Sequence, residues 1–147
     1  MTKTATVYLL DPKAATIEAV EIEARSAFAQ TYTLIGCELV QVIPFDTFHS
    51  LVTDEEGLRD GLTEFSIFKR YPQPLAGKIV LMGADFAAPQ ISLEDAAMAF
   101  QCCKPVLDPV FADMDDNAAA GLILAGALVG MQTRIERHTP TVIKRGN

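Results

Sequence analysis

Basic residues are scarce in this chain: 12 Lys and Arg stand against 19 Asp and Glu, a formal net charge of -7 over 147 residues. A protein that grips nucleic acid or an anionic membrane through bulk charge needs the opposite balance, so both partner classes are excluded. Cysteine is equally sparse. Cys37, Cys102 and Cys103 form an odd set without a C-x-x-C spacing, and the adjacent pair bridges only with distorted geometry. A disulfide framework is therefore excluded, and the three read as small buried thiols in a reducing, cytoplasmic setting. Two isolated histidines, His49 and His138, supply no zinc spacing, and no metal or cofactor is expected. Long apolar runs are missing too. The longest uncharged stretch, Asn117 to Thr133, falls short of the ~20 apolar residues of a membrane span and is broken by polar residues and glycines. After Lys3, the run Val7–Leu10 is cut by Asp11–Pro12, too short for a signal sequence. Internal repeats and low-complexity tracts are absent.

What is present is apolar: 50% of the residues are hydrophobic. That excludes intrinsic disorder and suffices for one domain of this length to fold without staples. The β-branched run Thr4–Leu10 predicts a strand, Asp11–Ala14 a turn, and Thr16–Glu23 a second strand returning antiparallel to the first. Ser26 opens a short helix that Gly36 ends. Glu38–Phe45, Phe48–Thr53, Glu64–Lys69 and the continuous apolar run Lys78–Met82 read as further strands, and the cluster Tyr71–Gly77 as a turn. Composition then changes. Ser92–Asp95 is a capping-box variant opening a helix, Lys104–Ala112 is extended, and a long helix is predicted from about Asp116 to His138. Asp113, Asp115 and Asp116 at its start, with Arg134, Arg137 and His138 at its end, suit a helix dipole.

The fold class expected is α+β: a mainly antiparallel sheet of about six short strands packed with two or three helices. It forms one domain over 1–147, sheet-rich in 1–83, helical in 92–138, with a basic tail at 139–147. The last helix carries Leu124, Leu128, Met131 and Ile135 at helical spacing around Gly121, Gly126 and Gly130. Each interior Gly costs about 1 kcal/mol relative to Ala, so close approach of another element is implied. Two readings stay open: a core helix, or a self-association surface built on Gly126, Gly130, Leu124 and Leu128 that makes the protein a homo-oligomer.

Few constellations suggest chemistry. Asp113–Asn117 resembles the start of a calcium loop, but Ala118 and Leu124 stand where Gly and an acidic ligand belong. Gly77–Lys78 lacks the rest of a phosphate-binding loop. His49 with Asp46 and Ser50 is the one triad-like group, yet neighbours on a strand point to opposite faces, so His49 does not serve Ser50 and reads as a surface or hairpin histidine. Arg134, Arg137, Lys144 and Arg145 concentrate positive charge near the C-terminal end. There Arg134 and Arg137 are candidates for phosphate oxygens, with Tyr71 or Phe68 stacking on a base. The acidic clusters Asp54–Glu56 and Asp113–Asp116 read as solvated turns and caps before they read as phosphate mimics.

The segments Tyr32–Gly36 (YTLIG), Val52–Leu58 (VTDEEGL) and Tyr71–Gly83 (YPQPLAGKIVLMG) resemble a family of small uncharacterised proteins carried by phages, plasmids and integrated elements. The likeness covers residues 4–83, with a weaker echo at Ser92–Asp95, and P-Q-P-L-A-G-K is its most specific piece. The shared domain has no assigned function, so the resemblance implies an accessory gene of a mobile element and transfers no catalytic residue.

The function expected is a non-enzymatic accessory binding protein of mobile-element origin, acting on a host macromolecule or a small ligand, without direct nucleic-acid or membrane binding. A nucleotide-sequestering protein that blunts host defence is the alternative. An enzyme survives only through a site assembled in the fold, such as His49 with Asp46 or Cys37.

Overall fold

A computed structural model describes residues 3–57, 64–111 and 128–144. Its first elements follow the sequence pattern. β1 (Thr4–Asp11) and β2 (Thr16–Glu23) pair antiparallel from Thr4↔Glu23 to Asp11↔Thr16. Between them the Asp11 carboxylate accepts the Lys13 N–H at 3.0 Å, an Asx turn that reverses the chain. α1 (Ala27–Ile35) stops where Gly36 takes φ +80°, a left-handed cap whose N–H returns to the Tyr32 carbonyl. β3 (Val40–Pro44), β4 (His49–Asp54), β5 (Phe65–Phe68), β6 (Leu75–Ala76) and β7 (Ile79–Gly83) follow. α2 (Leu93–Met98) starts at Ser92, whose hydroxyl accepts the Asp95 N–H at 3.1 Å. Three strands complete the described chain: β8 (Phe100–Phe111), β9 (Leu128–His138) and β10 (Thr141–Ile143).

The strands make two sheets where one was expected, ordered β10-β2-β1-β7-β4-β3 and β6-β5-β8-β9. The pairs among β1 to β8 are antiparallel, and β10 lies parallel to β2. The chain divides into two compact units, Met1–Lys104 with Arg137–Asn147, and Pro105–Glu136. In the first unit, β7 is buried along its whole length, as its continuous apolar sequence requires. Alternation sorts its side chains onto two cores. Val80 and Met82 join Val7, Ile22 and Ala27 beneath α1, while Ile79 and Leu81 join Leu10, Ile17, Phe68, Phe100 and Ala97 of α2 on the other face.

Three expectations are corrected. The helix predicted to end at His138 is strand from Leu128 onward. The reason is legible after the fact: Met131 and Ile135 are four apart, an even number that suits a strand as well as a helix. Val129, Thr133 and Ile135 are β-branched and alternate with polar Gln132, Arg134 and Glu136, which favours the strand. Gly121, Leu124, Gly126 and the acidic run Asp113–Asn117 lie outside the described residues. Second, within the part read as helical, 92–138, only Leu93–Met98 is α-helical among the described residues, and α1 and α2 are the α-helices described. Third, the Tyr71–Gly77 turn contains β6, paired with Phe65 and Ser66. The basic tail includes β10, and Lys144 pairs with Glu94 at 2.8 Å.

Candidate functional site

In the first unit, four short segments close on a cavity of about 310 Å³. The turn between β3 and β4 contributes Phe45 and Asp46, the end of β5 contributes Phe68, Lys69 and Arg70, the loop before α2 contributes Ile91, and the end of α2 contributes Met98 and Ala99. Aromatic stacking sets its wall. The Phe45 and Phe68 rings lie 4.9 Å apart at 15°, and Phe100 packs 5.9 Å from Phe45 and 5.5 Å from Phe68. All three are buried, so the wall is rigid. Lys69 and Arg70 are exposed at its edge, and an Arg70 N–H donates to the Phe45 carbonyl at 3.4 Å. Met98 is exposed, an adaptable apolar side chain at the mouth.

The turn beneath this wall is held by one carboxylate. Asp46 Oδ1 accepts the backbone N–H groups of Phe48 at 2.8 Å and His49 at 2.6 Å, and the His49 Nδ1 lies 2.9 Å away. Partial desolvation pushes the Asp46 carboxyl up, but the two backbone N–H groups and the His49 ring together hold it below the ordinary carboxylate range. His49 is buried, and its Nε2 accepts the Gln90 backbone N–H at 2.9 Å. An imidazole that accepts at Nε2 donates from Nδ1, which fixes the neutral tautomer with its proton toward Asp46. Both ring nitrogens are engaged. The pair through which an enzyme reading stayed open is thus a clasp that fixes the loop carrying Ile91, and the histidine read as a surface or hairpin residue is buried. Tyr8 O–H donates to the Ile91 carbonyl at 2.6 Å and fixes the same loop from β1.

The residues singled out from sequence are distributed unevenly. Phe68 lines the cavity, but its ring is packed between Phe45 and Phe100. Tyr71 is half-buried against the same core, its N–H on the Phe68 carbonyl at 3.0 Å. Arg137, also in the first unit, donates to the Gln101 side chain at 3.5 Å. Arg134 belongs to the second unit, where it pairs with Asp108 at 2.7 Å and Glu136 at 3.4 Å. Gly130 and Leu128 lie on β9. Sequence reasoning missed Lys69, Arg70, Ile91 and Met98. A dibasic pair where an alternating aromatic strand runs into a proline turn was the available signal for the first two. Ile91 and Met98 carried none, because folding alone brings them there.

The cysteines are free: Cys102 and Cys103 are buried on β8 and Cys37 is half-buried. Burial pushes the Cys102 thiol up to about 11, against a smaller opposing effect of the Ser66 hydroxyl. A thiol held protonated is a poor nucleophile. Among the described residues, no group of three or more His, Cys, Asp or Glu converges to hold a metal, and no helix is long and apolar enough to cross a membrane.

Comparison with known proteins adds the lineage. The profile of one family, Domain of unknown function (DUF3846), matches residues 3–104. "Uncharacterized protein y4iR" of Sinorhizobium fredii (strain NBRC 101917 / NGR234) is 49% identical over 140 residues, covering 92% of this chain and 87% of its own. "Protein PsiB" of Rhizobium leguminosarum bv. phaseoli is 50% identical over 129 residues, 85% of this chain and 96% of its own. Matches this long cannot stop at Lys104, so both relatives also share sequence in the second unit. No solved structure matches the chain.

Proposed function

The chain belongs to the DUF3846 family of unknown function, and on that premise we propose that it is a non-enzymatic accessory binding protein of mobile-element origin whose ligand occupies the Phe45–Phe68 cavity. The ligand class is a small molecule with a flat apolar body and an anionic group. One observation carries this reading: a stacked, buried aromatic wall meets two exposed cations, Lys69 and Arg70, at the rim of one cavity. Apolar pockets with a few placed polar groups are the usual form of small-ligand sites. The clasped state of His49 supports binding over turnover, because its ring has no nitrogen left to move a proton. The mobile-element setting rests on the resemblance carried by the turn motifs. A nucleotide is the specific form of this ligand class, since a base suits the apolar wall and a phosphate suits the guanidinium of Arg70.

Calorimetric titration with naphthalene-1-sulfonate and with AMP tests the reading. Binding of the sulfonate is expected, weakened by about five-fold in Arg70→Glu, or about 1 kcal/mol for one exposed charge, and unchanged in Arg137→Glu. AMP binding with the same dependence selects the nucleotide. Equal affinity in Arg70→Glu contradicts the site, and loss confined to Arg137→Glu moves it to the C-terminal arginines.

A further inference from the structure

The second unit poses a separate question, independent of the cavity. Of the eleven large apolar side chains exposed among the described residues, seven lie between Leu107 and Ile135. They sit on β8 and β9, whose contacts run in opposite order, Arg134 to Asp108 and Arg137 to Gln101, as in an antiparallel ribbon. Strand alternation separates two faces. Asp108 and Arg134 meet across the ribbon on one face, and Glu136 joins them two residues on. Their neighbours Leu107 and Ile135 must therefore point the other way. With Phe111, Val129 and Met131 at even spacing from these two, that second face is a continuous apolar stripe. Its members are 45% to 62% exposed.

A two-stranded ribbon with an unburied apolar face is at best marginally stable in water. We propose that this face is a self-association surface, covered by the same face of a second copy, ribbon on ribbon, with Asp108, Arg134 and Glu136 turned outward. Two arguments select a second copy. The five side chains, with Pro105, Pro109 and Thr133 beside them, offer on the order of 700 Å² per chain, close to the ~800 Å² per partner of a standard stable interface. Among the described residues of the second unit this face carries no charged side chain, Arg137 next along β9 on the same side being engaged with the Gln101 side chain at 3.5 Å. The ions Asp108, Arg134 and Glu136 satisfy one another on the opposite side, so the stripe itself offers no charge pattern for a dissimilar partner to read. An apolar stripe of this kind is complementary to itself, as a two-fold interface requires.

Sedimentation velocity of the full chain between about 1 and 100 µM tests the proposal, a range that brackets micromolar dimers. The native chain is expected to dimerise. Met131→Lys, which buries an unpaired charge in the interface, is expected to weaken the dimer at least about ten-fold. Gln132→Lys, on the opposite face, is expected to leave it unchanged. A native chain that stays monomeric to 100 µM overturns the proposal, and if that monomer floats with phosphatidylcholine vesicles, the face belongs to a lipid surface instead. Equal dimerisation of the native chain and Met131→Lys also overturns it. Should Met131→Lys fail to fold, hydrogen exchange of the native chain decides. Protection of residues 128–136 that rises with protein concentration supports the interface, and protection independent of concentration rejects it.

Discussion

Half-buried Asp46 accepts two backbone N–H groups and the His49 ring, and the consequence is a pH dependence with a definite sign. Its pKa is lower in the folded chain than the ordinary ~3.9 of an unfolded one, so its stabilisation is complete above that value and is lost as pH falls through the folded value. Asp46→Asn is expected to cost about 1 kcal/mol near neutral pH and to make the acid limb of a denaturation-against-pH curve shallower. Cys102 gives the opposite limb. The unfolded thiol ionises near 8.5 while the folded one holds its proton to about 11, so stability is expected to fall as pH climbs through that interval. At pH 8 a disulfide reagent is expected to label Cys37 alone in the native protein and all three thiols after denaturation. The sequence showed Asp46 three residues before His49, and that spacing raised the question of a catalytic pair. Nothing in that spacing pointed to Gln90, 41 residues away, whose backbone N–H turns His49 into a clasp. Residue identity was legible; residue role depended on a long-range partner.

At the scale of elements, the sequence was most readable where local chemistry and tertiary burial agree. The β1–β2 hairpin, the Gly36 cap and the Ser92 cap each follow from turn or capping residues. Ser92→Ala is expected to cost about 1 kcal/mol in chemical denaturation, because it leaves the Asp95 N–H without its cap. Legibility failed in Leu128–His138, where residues four apart satisfy two periodicities at once and glycines and apolar residues suggested a buried helix. The β-branched residues Val129, Thr133 and Ile135 are the tie-breaker toward strand, while the charge pattern at the two ends suits a helix dipole equally well. The two-residue β6 was invisible for another reason: its pairing with β5 comes from a neighbour, not from its own turn-rich sequence.

For the whole molecule, composition announced a surplus of apolar residues without saying where it goes. The first unit uses it on both faces of β7, while the second unit leaves an apolar stripe in water. The cavity belongs to the first unit and was not legible as a site, because its rim draws on residues from Phe45 to Ala99 that only the packing of β5, α2 and the two clasped loops brings together. On the proposed function, this cavity is where the ligand binds. Methionine-methyl NMR on the native chain tests it most directly, since Met98 lines the cavity and Met131 lies on the ribbon. Titration with naphthalene-1-sulfonate is expected to shift the Met98 methyl signal saturably and leave that of Met131 in place. A saturable shift at Met131 with Met98 unmoved, or no saturable shift at either, contradicts the account.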